Sequence, residues 1–376
     1  MLTFLTIFYC TLAGISLLNG LLMRRPSGKK ASGIKICALI PARDEEKNLA
    51  TLLPSLVGEV DGVYVYNDHS SDKTGEIARS LGASVIEGDD LPKGWTGKNN
   101  ACHRLGQSLA TQARDDVWWV FLDADTRPRP GFRGALESLI AEIGTSKPVI
   151  TGFTKMLPGR GLEPVYMSWV PWILLATCPF GLICRLPQNR WNHPRFTNGQ
   201  FVLWRSTSYL DLLPNEAVKG AVLEDVAMGR WLAQKGVPVE VVDISGFLGV
   251  QMYENLEAAH EGMKKNSFEI TGSLLGSWGL ALLFLFVSIG WLLPWGSEGA
   301  VLIIALLFSR LMSGLFAGHP LWTLPLFPLT LVMAAHTVLE SAYSRLGAGG
   351  GATWKGRRVG QVTLPEEKGS DVPEAS

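Results

Sequence analysis

Between residues 31 and 271, short runs of β-branched and aromatic residues alternate with stretches in which leucines recur at helical spacing. That alternation is the pattern of a mainly parallel sheet covered by helices, so the expected class is α/β. Residues 34–40 are predicted to form the first strand, and residues 45–56 the helix after it, with Leu49, Leu52, Leu53 and Leu56 on one face. A second strand (62–66) leads into a helix (74–81), a third (84–87) into a helix (97–113), and a fourth (117–122) ends directly on Asp123 and Asp125. In open sheets of this kind, ligands gather outside the carboxyl ends of the strands.

Outside this region the periodicity gives way to unbroken apolar runs. Residues 2–23 carry no charge and are long enough to cross a bilayer, which reads as an anchor in a segment 1–23. Arg24, Arg25, Lys29 and Lys30 follow at once, and such clusters stay on the cytoplasmic side. The expectation is a multi-pass cell-membrane protein whose globular domain, 31–271, faces the cytoplasm. A C-terminal membrane region, 272–345, holds three more apolar stretches at 272–295, 299–318 and 321–343, with Trp278, Trp291, Trp295 and Trp322 near their ends as interface anchors. Three crossings would leave the C-terminus outside, yet Arg345, Lys355, Arg357 and Arg358 favour the inside. One stretch is therefore expected to be re-entrant or interfacial, namely the last, which Pro320, Pro325 and Pro328 interrupt. A further apolar segment, 165–184, broken by Pro171 and Pro179, fits either an interfacial segment or a buried excursion of the globular domain. In the tail, 346–376, acids, Pro and Ser dominate from residue 364, a disordered composition.

Composition agrees with a protein partly in lipid: of 376 residues, 47% are hydrophobic and only 18% charged. The zero formal charge provides no basic field for nucleic acid. Cys10, Cys37, Cys102, Cys178 and Cys184 show neither CxxC spacing nor a dense framework, so they read as reduced thiols.

Five polar clusters fall near predicted strand or helix ends. Pro41-Ala42-Arg43-Asp44-Glu45-Glu46 opens a helix, where acids cap favourably without any chemistry. Residues 67–74 follow the second strand with turn-forming side chains; Asp68 is placed to accept from a nucleobase or ribose, and His69 reads as a turn residue. Pro92-Lys93-Gly94-Trp95-Thr96-Gly97-Lys98 is not a Walker A loop, because Pro92 stands at the first glycine and Asn99 at the Ser or Thr. It fits a diphosphate cradle and a surface turn with a solvated lysine about equally. Asp123-Ala124-Asp125 is a weak signal as a bare triplet, but at a strand end both acids can reach an ion bridging diphosphate oxygens. Glu224-Asp225 starts a helix running to about Lys235, which suits a helix terminus or a general base.

In order and spacing these clusters resemble the family 2 glycosyltransferases. Within them the chain is most similar to the hopene-associated and carotenoid glycosyltransferase branch, through residues 92–98, Asn198-Gly199-Gln200-Phe201 and Trp354-Lys355-Gly356-Arg357. The resemblance implies a GT-A fold, a nucleotide-sugar donor of the UDP type, a divalent cation (Mg2+ or Mn2+) at Asp123 and Asp125, and inversion at the anomeric carbon. It also implies Pro41, Arg43 and Glu45 beside the nucleotide, Asp68 facing uridine, Lys98 and Asp123 at the donor, and Asp225 as base. Asn67 and His69 depart from the commoner residues of the second motif. The QxxRW motif of processive relatives is absent, 251–266 standing near its place, which implies a single transfer. The acceptor expected is a membrane lipid such as a carotenoid or hopanoid. Alternatives are a polyprenyl phosphate acceptor, a catalytically silent scaffold of the same fold, and a nucleotidyltransferase, whose usual glycine-rich N-terminal loop is missing. The helical stripe Met252, Leu256, Ala259 and Met263 fits a core helix better than one lying on the bilayer.

Overall fold

The structure is a computed structural model that describes residues 2–189, 191–294, 296–346, 352–354 and 357–359. Trp295, Lys355 and Gly356, and the acidic tail from 364 lie outside the described residues. Helix α1 (Leu2–Leu22) precedes β1 (Lys35–Ala42), α2 (Glu46–Leu56), β2 (Gly62–Asn67), α3 (Thr74–Ser80), β3 (Ser84–Glu87), α4 (Gly97–Ser108) and β4 (Val117–Leu122). Then come β5 (Thr126–Pro128), α5 (Phe132–Ile143), β6 (Val149–Phe153), β7 (Lys155–Met156), α6 (Glu163–Tyr166), α7 (Trp169–Thr177), α8 (Phe180–Ile183) and β8 (Phe201–Arg205). Helices α9 (Ser206–Leu212), α10 (Pro214–Ala217) and α11 (Glu224–Lys235) lead to β9 (Val239–Asp243) and β10 (Leu248–Val250). The chain continues through α12 (Leu256–Thr271), α13 (Leu274–Ile289), α14 (Ser297–Ala317), α15 (Phe327–Leu346) and a hairpin of β11 (Ala352–Trp354) with β12 (Arg357–Val359).

The expected strands and helices of the first half form within a residue or two of their predicted ends, except that α4 stops at Ser108 and a 3-10 turn, Ala110–Gln112, takes up the rest. Seven strands pair in the order β3-β2-β1-β4-β8-β6-β9. All neighbours are parallel except β8, which runs antiparallel to both β4 and β6. The sheet is therefore mixed: its first four strands are the repeating strand–helix half, and β8 returns against them after the long excursion through α6, α7 and α8. Every residue of β4 is buried, as a central strand covered on both faces requires. Leu49, Leu52, Leu53 and Leu56 of α2 pack with α5 on one face. Ala101, Cys102 and Leu105 of α4 and Leu232 of α11 pack on the other. A small second sheet, β5-β10-β7, sits past the carboxyl end of β4.

Four segments are long and apolar enough to cross a membrane: Leu2–Leu22, Leu274–Leu292, Ser297–Ala317 and Leu321–Arg345. Phe4, Ile7, Leu275, Ile304 and Leu315 project outward from them, as side chains facing lipid would. Contacts order the bundle. Arg24 bridges to Val242 of β9, so the C-terminal end of α1 meets the globular domain. At the far end Tyr9 donates to the Val287 carbonyl at 2.8 Å, so α13 runs away from the domain. Helix α14 returns to it, since Gly318 packs on Lys155 of β7. The short leg Leu321–Leu326, 3-10 in form, then climbs beside α14, with Arg310 donating to the Thr323 hydroxyl at 3.0 Å. Ser288 donates to the Pro328 carbonyl at 2.7 Å, and α15 descends until Arg345 meets Glu269 at 2.8 Å.

The prolines thus do not break the last long helix. Pro320 precedes the short leg, Pro325 lies within it, and Pro328 occupies the first turn of α15, where a missing N–H removes no helical bond. Gly272 and Arg345 end on the same side of the bundle. Segment 165–184 becomes α7 and α8 and is buried against α1 and α14: Trp172 donates to Ser309 at 2.9 Å, and Asn19 donates to the carbonyls of Leu175 and Cys178 at 2.8 Å each. The stripe on α12 is a core face, with Ala259 and Met263 buried.

Candidate active site

The loops after β1 and β2 lock together. Asp44, at φ 52°, accepts from the backbone and hydroxyl of Ser71 at 2.7 and 3.0 Å. Thr74 accepts from the Glu45 N–H at 2.8 Å, and Asp72 from the Glu46 N–H at 3.1 Å. The first turn of α2 is therefore capped from the neighbouring loop, and the capping role expected for Glu45 is not what its side chain performs. Glu45 instead accepts from Asn48 at 2.7 Å, and Asn48 accepts from Arg127 at 2.6 Å, which sets this carboxylate on the wall of a cavity. Arg43 lies 3.7 Å from Asp68, which is 4% exposed. Pro41 lines a smaller recess beside the same residues. His69, with φ 52°, is the turn residue its position suggests.

The turn after β4 is held from three sides. Thr126 donates its hydroxyl to the Asp123 carbonyl at 2.8 Å, Arg127 donates to the Ala124 carbonyl at 3.2 Å, and the Gln251 N–H donates to the Asp125 carbonyl at 2.9 Å. Lys98, at the start of α4, reaches across to Asp123 at 2.7 Å and to Glu224 at 2.7 Å. It is an ion-paired group inside the site, not the solvated lysine of a surface turn. Burial alone would lower its ammonium, but the two carboxylates hold it well above its ordinary value. Burial raises Asp123 despite Lys98. Burial, then Asp123 and Glu45, push Asp125 up to about 7, and among the described residues its Oδ1 is buried without a hydrogen-bond partner.

Asp225 stands one residue into α11, whose start is pinned where Thr197 donates to the Asp225 carbonyl at 2.8 Å. Burial and then Glu224 push its carboxyl up to about 6. Every residue singled out in the sequence as a site residue lines this cavity or its adjoining recess. Sequence reasoning did not assign a role to Glu224 beyond the helix start or a base. Nor did it foresee why residue 199 is glycine: a Cβ there would come within 2.8 Å of Lys98 Nζ and 2.9 Å of Glu224 Oε1. The NGQF stretch was the available signal, but only folding brings it against Lys98.

The cavity has a volume of about 730 Å³ and two unlike walls. One carries Glu45, Asp123, Asp125, Glu224 and Asp225. The other carries Phe153, Val170, Leu174, Phe196, Met252 and Ala317, and so reaches α7 and the end of α14. Lys265 and Asn266 of α12 also line it, and burial lowers the Lys265 ammonium to about 8.

Residues 37–200 match the family model for glycosyl transferase family 2. A 4,4'-diaponeurosporenoate glycosyltransferase of Staphylococcus aureus (strain USA300) is 29% identical over 234 residues, 61% of this chain and 59% of the relative. One from Staphylococcus haemolyticus (strain JCSC1435) is 28% identical over 264 residues, 64% of this chain and 65% of the relative. The chain thus spans less than two thirds of the length of the curated relatives it matches. Among solved structures, glucosyl-3-phosphoglycerate synthase from Mycobacterium tuberculosis, in complex with Mn2+, UDP and phosphoglyceric acid, aligns with a TM-score of 0.41 at 20% identity, covering 69% of this chain and 81% of that one. Staphylococcus aureus TarS 1-349 aligns with a TM-score of 0.39 at 16% identity, covering 86% and 96%. Residues 37–200 thus resemble the family 2 glycosyltransferases, and the resemblance extends to the carotenoid branch.

Proposed function

We propose that this chain is a family 2 glycosyltransferase that works at the membrane, transferring a sugar from a UDP-type nucleotide donor to a lipid acceptor such as a carotenoid or hopanoid, with inversion at the anomeric carbon. The observation that carries the reading is the two-walled cavity: an acid cluster at the strand ends is continuous with an apolar wall built partly from α7 and the end of the membrane-region helix α14. A charged donor and an apolar acceptor can meet there without either leaving its preferred surroundings.

On the donor side, Asp68, Arg43 and Pro41 border the place for the nucleotide at the ends of β1 and β2. Asp123 and Asp125 would hold a divalent cation, Mg2+ or Mn2+. The fit rests on the buried, unpartnered Oδ1 of Asp125 and on two carboxyls raised by burial, both of which a cation would satisfy. Such an ion, when bound, offsets charge developing on the leaving diphosphate. Lys98 supplies a fixed positive charge beside Asp123, and the rigid turn around Asp123 and Asp125 pre-organises both acids.

Asp225 is the base for a hydroxyl acceptor. A carboxylate raised to about 6 is a better proton acceptor than an ordinary aspartate and is still ionised at neutral pH. An acceptor that is a carboxylate or a polyprenyl phosphate would arrive already ionised and need less of it. The shared side of Gly272 and Arg345, together with the basic run after α1, supports a cytoplasmic catalytic domain.

The test is UDP release by detergent-purified protein given UDP-sugars, Mn2+ or Mg2+, and extracted membrane lipid. Lipid-dependent release by the wild type, absent in an Asp123→Ala/Asp125→Ala variant, is expected. A folded wild type that releases nothing with any donor would point to the silent scaffold, and release of pyrophosphate to a nucleotidyltransferase.

A further inference from the structure

Where α12 lies against α15, three metal-ligating side chains converge outside the cavity just described. His260, His336 and Glu340 are, among the described residues, the one group of three His, Cys, Asp or Glu side chains whose donor atoms all lie within 4.8 Å of one another. His336 and Glu340 stand four residues apart on α15 and so share a helix face, while His260 comes from α12.

The three are oriented in the manner of a ligand set. Glu340 divides its oxygens: Oε1 meets Lys264 Nζ at 2.6 Å, whereas Oε2 faces His260 Nε2 at 2.8 Å and His336 Nδ1 at 3.8 Å. The other ring nitrogen of His260, Nδ1, is 3.2 Å from the Thr337 hydroxyl, which lies 2.8 Å from the buried Tyr166 hydroxyl. Partners that hold the far nitrogen of an imidazole set its tautomer and aim, as they do around bound metals. Ligands about 2.0–2.1 Å from a tetrahedral ion stand roughly 3.3–3.4 Å apart. The observed 2.8 and 3.8 Å bracket that spacing, so small torsions bring all three donors to one centre. The His336 side chain is 72% exposed, which leaves room beside the three donors for a fourth ligand.

We propose that His260, His336 and Glu340 form a second metal site that takes a borderline cation of the zinc type and ties α12 to α15. Two imidazoles and one carboxylate suit Zn2+, whereas the all-oxygen pair Asp123 and Asp125 suits Mg2+ or Mn2+. The ion would brace the acceptor side of the cavity, because Gly262, Lys265 and Asn266 of the same helix line it. The site stands independently of the sugar-transfer reading.

The experiment uses the full chain in detergent, stripped with a chelator and then titrated with Zn2+, with Co2+ as a spectroscopic probe. One equivalent of zinc is expected in the wild type and equally in the Asp123→Ala/Asp125→Ala variant, with visible Co2+ bands of a four-coordinate nitrogen and oxygen site. His336→Ala, an exposed substitution that leaves packing intact, is expected to weaken binding at least tenfold. Thr337→Val should weaken it by about tenfold through His260 alone. A wild type that binds no zinc at micromolar concentration, or a His336→Ala variant that binds as the wild type does, would overturn the site and leave a plain ion-pair cluster around Glu340.

Discussion

The two walls of the cavity are built in opposite ways. The acid wall comes from short loops that follow β1 and β4 and from the start of α11, with Glu45 held by Asn48 and Asp123 and Glu224 held by Lys98. The apolar wall comes from residues as distant as Phe153, Leu174, Met252 and Ala317, which only packing brings together. The first wall is a set of specific directional contacts, and the second is area and shape. On the proposed reading, charge at the first controls chemistry, while the second controls which molecule enters.

The sharpest way to break this division is at the acids. Asp123→Ala/Asp125→Ala should lower UDP release on the order of 10³-fold while the protein still melts cooperatively, since developing charge on the diphosphate then goes uncompensated. Asp225→Asn should cost roughly 10²-fold with a hydroxyl acceptor and much less with an already ionised one. In the wild type the base form of Asp225 is lost as pH falls through about 6, so the rate should drop on the acid side of that value. The variant should lack this limb, and an unchanged pH profile would remove Asp225 from the role of base.

Lys98→Met tests whether the acid wall also bears on stability. It leaves the half-buried Asp123 and Glu224 without their shared cation, a loss of about 2 kcal/mol at neutral pH, below the usual range for a fully buried pair. Asp123, already raised by burial, would then titrate at still higher pH in the folded chain, so the loss should shrink as the pH is lowered, which thermal melts at several pH values would show. The smallest effect belongs to the apolar wall. Leu174→Asp should raise the apparent KM for the lipid about tenfold, the cost of roughly one lost apolar contact surface, with little change for the donor. Equal effects on donor and lipid would show that the walls are not separate.

Much of the site was legible because local rules govern it. Alternating runs set β1 to β4 and the helices between them, and strand ends in such sheets present their loops to ligands. Asp68, Asp123 and Asp125 follow directly from that placement. Other features were misread for want of a partner in view: Glu45 looks like a cap until Thr74 and Asp72 are seen to cap its helix from the next loop. For Lys98 the loop pattern leaves a diphosphate cradle and a solvated turn equally open, and only the closing of Asp123 and Glu224 on it decides between them.

The membrane region divides the same way. Hydropathy over about 20 residues suffices to mark the apolar segments, since a bilayer selects on length and composition. The fate of Pro320, Pro325 and Pro328 depends on where the short leg beside α14 packs, and the burial of α7 depends on Asn19 and Ser309 from other helices.

What the sequence by itself determined is therefore the α/β class, the apolar segments and the identity of the acids at the strand ends, because periodicity, length and local turn chemistry act within a few residues. What only the tertiary structure decided is the pairing of Lys98 with Glu224, the antiparallel β8, the apolar half of the cavity and the meeting of His260 with Glu340. Each of these joins residues many tens of positions apart, and burial and close packing, not local pattern, choose such neighbours.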